Sequence, residues 1–88
     1  MDIVEREAEL KQRLTDALHP MHLHIINESA QHVGHPGAAH GAGHYAIEII
    51  AQCFEGKSLV QRHQMVYKAV GSLIGPEIHA LKIKADCP

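Results

Sequence analysis

The sequence predicts an α+β domain in the order αββα(α)β, a three-stranded mixed sheet with helices on one face, built by residues 1 to 88 as one unit. Three observations carry that expectation. Apolar residues recur at helical spacing in two segments, they alternate with polar ones in three short runs, and glycine or proline stands at most of the junctions.

The first helix is expected over about residues 3 to 18. Asp2 followed by Glu5 fits a helix N-cap, and Ile3, Leu10, Leu14, Ala17 and Leu18 fall on one stripe. His19-Pro20 ends it, because a residue before proline is pushed out of the α region and proline cannot continue the hydrogen-bond ladder. In "MHLHIINES", Met21, Leu23 and Ile25 alternate with His22 and His24 as in a half-buried strand, which Asn27, Glu28 and Ser29 close. Residues 30 to 43 contain four glycines and a proline without periodicity, so a His/Gly-rich loop is expected there.

Order returns in "HYAIEIIAQCF", where Tyr45, Ile47, Ile49, Ala51 and Cys53 share one parity and should pair with the first strand as an antiparallel hairpin. Gly56 supplies a turn, and Ser58 with Gln61 forms a capping box. A helical stripe of Leu59, His63, Val66, Val70 and Leu73 follows as far as Gly75-Pro76, with Gly71 dividing it into two short helices. The third strand, "IHALKIKA", sets His79, Leu81, Ile83 and Ala85 on an apolar face against Ile78, Ala80, Lys82 and Lys84. Strands joined through helices cross over right-handed and lie parallel, which makes the second and third strands parallel neighbours.

Composition narrows the function classes. The chain has 45% hydrophobic and 20% charged residues, a formal charge of −2 and nine histidines, so its charge depends on pH around neutrality. A net-acidic domain gives little general support to phosphate-dominated nucleic-acid binding. The two cysteines, Cys53 and Cys87, make neither a C-x-x-C motif nor a disulfide framework, which fits a reducing compartment. Neither a signal-peptide pattern nor a long apolar run occurs, so a soluble, cytoplasmic protein without membrane contact is expected.

Several local matches have simpler explanations. "EGKS" resembles the end of a phosphate-binding loop, but Ala51 stands where that motif needs its first glycine, which leaves a turn and a helix cap. "GHPG" matches the G-x-x-G clamp of nucleic-acid modules, yet lies between strands rather than helices. His63, on the apolar stripe, reads as a core histidine. Ser58, Cys53 and the histidines form no nucleophile–base–acid set, so no enzyme activity is indicated. His32, His35, His40 and His44 are close enough in sequence to share a metal, but a glycine-rich loop loses much conformational entropy in supplying four ligands. A cluster completed by a partner's thiolates would ask less of it.

Taken together, "INESAQH" (residues 26 to 32), "HYAIEIIAQCFEGKSLVQRHQMVY" (44 to 67) and "IHALKIKA" (78 to 85) resemble the BolA proteins, with N-E-S-x-x-H, H-aromatic, F-x-G, R-H and H-A-L in the family's order. The resemblance implies a class II KH-like fold. It also implies a non-enzymatic partner of a monothiol glutaredoxin, bridged to it by a [2Fe-2S] cluster, in iron–sulfur cluster trafficking or iron and redox regulation. Carried over to this chain, the ligands are His32 and His79, with His35, His40 and His44 as alternatives for the loop ligand because the loop is longer than in typical members. The glutaredoxin cysteine and a glutathione thiol would complete the set, giving two imidazoles and two thiolates as in a Rieske-type centre. No cofactor is expected in the isolated chain, a monomer or weak homodimer. The alternative implied by some bacterial members is a DNA-binding stress-response regulator acting in transcription, using the 58 to 73 segment with Lys57, Arg62, Lys68, Lys82 and Lys84.

Overall fold

The computed structural model describes residues 1 to 29 and 43 to 88, so most of the expected loop, including His32, His35, His40 and the "GHPG" tetrapeptide, lies outside the described residues. The element order is α1 (Ile3–Leu18), β1 (His22–Asn27), β2 (Gly43–Ile50), a 3-10 turn (Gln52–Phe54), α2 (Leu59–Val70), a second 3-10 turn (Gly71–Leu73) and β3 (Ile78–Asp86). β2 is central, antiparallel to β1 and parallel to β3. This is the α+β architecture with a mixed sheet and helices on one face that the sequence predicts.

Local chemistry sets the boundaries. The Asp2 carboxylate accepts the Glu5 amide at 2.8 Å to open α1. His19 closes it in the left-handed region at φ 47°, donating its amide to Thr15. Ser58 and Gln61 make both bonds of the capping box on α2. Gly71 ends that helix at φ 60°, a conformation that favours glycine, and Arg13 reaches across from α1 to donate to the freed Val70 carbonyl at 2.7 Å.

The core is one cluster between the helices and the inner sheet face. Leu10, Leu14 and Leu18 of α1 and Val66 and Val70 of α2 meet Tyr45, Ile47 and Ile49 of β2, with Ala51, Phe54, Leu73, Ile78 and Ala85. Half-buried Leu23, Ile25, Leu81 and Ile83 extend it across the neighbouring strands.

Four expectations are corrected. Cys53 is exposed rather than continuing the buried parity of β2, because the strand stops at Ile50 and the 3-10 turn swings Phe54 into the core instead. His63 is exposed, and so is Leu59 at 66%, because the buried face of α2 begins only at Met65 and Val66. Ile3, Ala17 and Met21 also lie on the surface. Ile78 is fully buried and His79 exposed, the reverse of the simple alternation, owing to an irregularity at the start of β3.

Candidate functional site

Because β2 and β3 run parallel and β1 runs against them, the end of β1 and the starts of β2 and β3 meet at one edge of the sheet. The two ends of the 30 to 42 segment emerge there. Asn27 Oδ1 accepts the Ser29 amide at 2.9 Å, a side-chain turn that takes the chain out of β1. Ser29 Oγ accepts the His44 amide at 3.1 Å, and the Glu28 amide donates to the His44 carbonyl at 2.7 Å. The Asn-Glu-Ser run therefore ties the exit of the segment to its return. Asn27 also donates to Glu7 of α1 at 3.0 Å.

Gly43 brings β2 against β3. Its amide donates to the Glu77 carbonyl at 3.2 Å. A Cβ there would sit 2.6 Å from that carbonyl oxygen and 2.7 Å from Tyr45 Cε2, so no side chain fits. The Glu77 carboxylate is held at 3.2 Å by the Met1 amino group and at 3.3 Å by Arg6 Nε. Hydrogen bonding to the amino group keeps the Glu77 pKa below its ordinary value, with Arg6 assisting, against some desolvation. Arg6 itself is only 6% exposed. Burial works against its charge, but Tyr45 and Glu77 outweigh that and raise its pKa.

One step further along β3, the register pairs Gly43 with Ile78 but His44 with Ala80, leaving His79 as the extra residue of a bulge. A bulge breaks the two-residue alternation and re-aims a side chain. Ile78 turns into the core and His79 is left exposed, on a strand held to β2 along its whole length. His44 is half-buried at the adjoining strand start. The structure thus brings His79 and His44 to the same edge, at the return of the segment that contains His32, His35 and His40.

The donors at this edge suit half of a ligand set. Neutral imidazole is a good ligand for iron, and an exposed one on a rigid strand can meet a partner. Among the described residues, no three His, Cys, Asp or Glu side chains are gathered to hold a metal ion. Cys53 and Ser58 have other roles: the thiol contacts the Leu18 carbonyl at 3.6 Å, and the hydroxyl caps α2.

The five cationic candidates do not converge. Lys57 and Lys68 line a shallow depression of about 370 Å³ on α2 with Gln61, Gln64 and Met65. Lys82 and Lys84 pair with Ala46 and Glu48 on the opposite, outer face of the sheet. Lys82 is bound to Glu28 at 3.3 Å. Arg62 donates to the Lys57 and Ala85 carbonyls, both at 3.1 Å, and so fastens α2 to the end of β3.

Sequence reasoning missed Arg6, Gly43 and Glu77. Arg6 carried a readable signal, since it stands in the four-residue phase of Leu10, Leu14 and Leu18 and must enter the core side with them. Gly43 looked like one more loop glycine, although it is the first residue of β2. Nothing local marks Glu77.

The fold and this edge define a small helix-on-sheet domain that presents an exposed histidine on a strand bulge. A family model described as BolA-like protein matches residues 14 to 88. BolA-like protein 1 of Homo sapiens is 37% identical over 82 residues, 93% of this chain and 58% of the relative. SufE-like protein 1, chloroplastic/mitochondrial, of Arabidopsis thaliana is 33% identical over 88 residues, 94% of this chain and 24% of that protein. The chain therefore spans little more than half of one of these relatives and a quarter of the other. The solved BolA domain of SufE1 from Arabidopsis thaliana superposes with a TM-score of 0.81 at 33% identity, covering 94% of this chain and 92% of that one. The chain belongs to the BolA-like protein family. No described helix is long and apolar enough to cross a membrane.

Proposed function

We propose that the chain is a non-enzymatic binding module that shares a [2Fe-2S] cluster with a monothiol glutaredoxin, with His79 as its fixed ligand. The observation that carries this is the bulge: β3 would otherwise turn position 79 toward the core, and instead it presents an imidazole at the mouth of a histidine-bearing segment. Family membership and the SufE-like relative, in which a BolA domain forms part of a larger protein, support an iron–sulfur role. The second imidazole is assigned to His32, with His35, His40 and His44 as substitutes. Two imidazoles on one iron and two thiolates on the other would raise the reduction potential relative to an all-thiolate cluster. Because neutral imidazole is the ligand, acidification weakens the bridge.

Anaerobic reconstitution of the chain with a monothiol glutaredoxin, glutathione, iron and sulfide tests the reading. The mixed complex should show a visible absorption spectrum different from that of the glutaredoxin alone, and His79→Ala should abolish the difference. An identical spectrum with and without the His79 imidazole would count against it. No comparable observation favours DNA binding, since the five cations are divided between two faces and the protein's own carbonyls.

A further inference from the structure

We propose that the outer edge of β1 pairs antiparallel with the same edge of a second copy of this chain, joining two three-stranded sheets into one. The two edges of the sheet differ in how they are protected. An open strand edge is a template for another chain, and proteins guard such edges with charged side chains or covering groups. The β3 edge is guarded. Ala51 donates to the Asp86 carbonyl, so the Ala85 carbonyl faces away from β2, and Arg62 covers it at 3.1 Å. Lys82 and Lys84 stand on the same strand. β1, with the sequence HLHIIN, carries no lysine, arginine or proline.

The register fixes what β1 offers. Glu28 donates to the carbonyl of His44 opposite it, so the backbone groups of His24 and Ile26 also face β2, and those of Leu23, Ile25 and Asn27 face outward. The side chains of these outward residues point to the helix side of the sheet. There Leu23 and Ile25 line a groove of about 400 Å³ with Val4, Glu7, Ala8 and Lys11 of α1. Val4 is 76% exposed in it.

Charge selects a second copy as the occupant. Asn27 is bonded to Glu7, so these two stand at one level of the groove. Lys11 lies one turn on, ~6 Å along α1, which matches the ~6.6 Å back along β1 from Asn27 to Ile25. A two-fold axis at Ile26 pairs Ile25 with the partner's Asn27, and therefore sets Lys11 against the partner's Glu7 and Glu7 against the partner's Lys11. The acid and base on α1 are thus complementary to their own copies, whereas an axis at Ile25 would oppose the two lysines. Each Ile25–Asn27 pairing exchanges two backbone hydrogen bonds, and on the outer face the axis brings the two exposed Ile26 side chains together. The interface is small, so the dimer is reversible. It uses the edge opposite β3 and does not rest on the His79 reading.

Sedimentation velocity of the full chain with chelator present, from about 1 μM to about 1 mM, tests the proposal. The sedimentation coefficient should rise with concentration toward that of a dimer, and Ile26→Lys, which sets two ammonium groups on the axis, should hold the chain monomeric. At the highest concentration the Ile25 and Asn27 amides should exchange hydrogen more slowly in the parent than in Ile26→Lys, read residue by residue by NMR. Lys11→Glu should raise the dissociation constant about two- to five-fold, as loss of an exposed ion pair does, and adding Glu7→Lys should restore it. His79→Ala should change nothing. A chain monomeric throughout would overturn the proposal and leave the edge to an unlike partner. So would a dimer that persists in Ile26→Lys and ignores the charge reversals.

Discussion

Gly43 carries no side chain because two fixed neighbours, the Glu77 carbonyl and the Tyr45 ring, occupy the space one would need. Gly43→Ala should lower stability by about 1–3 kcal/mol, as overpacking in a tight site does, in urea-induced unfolding followed by circular dichroism. His79 is the opposite case. It is exposed, so His79→Ala should leave stability within about 0.5 kcal/mol of the parent while removing the proposed ligand. The residue type of each was plain in the sequence, but the constraint was not. A one-residue bulge has no signature in an alternating run, and so "IHALKIKA" put His79 inside and Ile78 outside. Arg6 was legible in principle, as a charge in phase with three buried leucines.

α2 shows how far periodicity carries. Its capping box, its end at Gly71 and its core positions Val66 and Val70 all follow from spacing and turn chemistry. Leu59 and His63 lie on the stripe yet stay in solvent, although Arg62 between them reaches the Ala85 carbonyl of β3. Periodicity reports the face a residue occupies but not how far the neighbouring layer extends. Ser58→Ala should cost about 1 kcal/mol in the same unfolding assay, since it removes the side-chain bond to the Gln61 amide at 3.1 Å. The end of α1 offers the reverse test. His19 holds a left-handed conformation without being glycine, so His19→Gly should raise stability by about 0.5 to 1 kcal/mol, the relief of backbone strain exceeding the added chain entropy.

Over the whole domain, two carboxylates link pH to folding. Glu77 has a folded pKa below its ordinary 4.5 through the Met1 amino group and Arg6, and Asp2 one below 3.8, chiefly through the Glu5 amide. The unfolded chain binds protons at these sites before the folded one does, so their stabilisation is complete above the ordinary values and is lost as pH falls through the lowered ones. Melting temperature should therefore drop across the acidic carboxylate range, and less steeply in Glu77→Gln. The same Glu77 anchors the turn that leads into His79, linking the stability of the fold to the position of the proposed ligand. Global topology was legible because three alternating runs and a crossover leave few arrangements, whereas the meeting of Gly43, Glu77 and His79 depends on contacts remote in sequence. Pulsed electron paramagnetic resonance of the reduced complex with a glutaredoxin tests the central claim most directly. Nitrogen hyperfine coupling from two imidazoles should appear, and His79→Ala should remove one of them; a cluster without nitrogen coupling, or with coupling indifferent to that substitution, would contradict it.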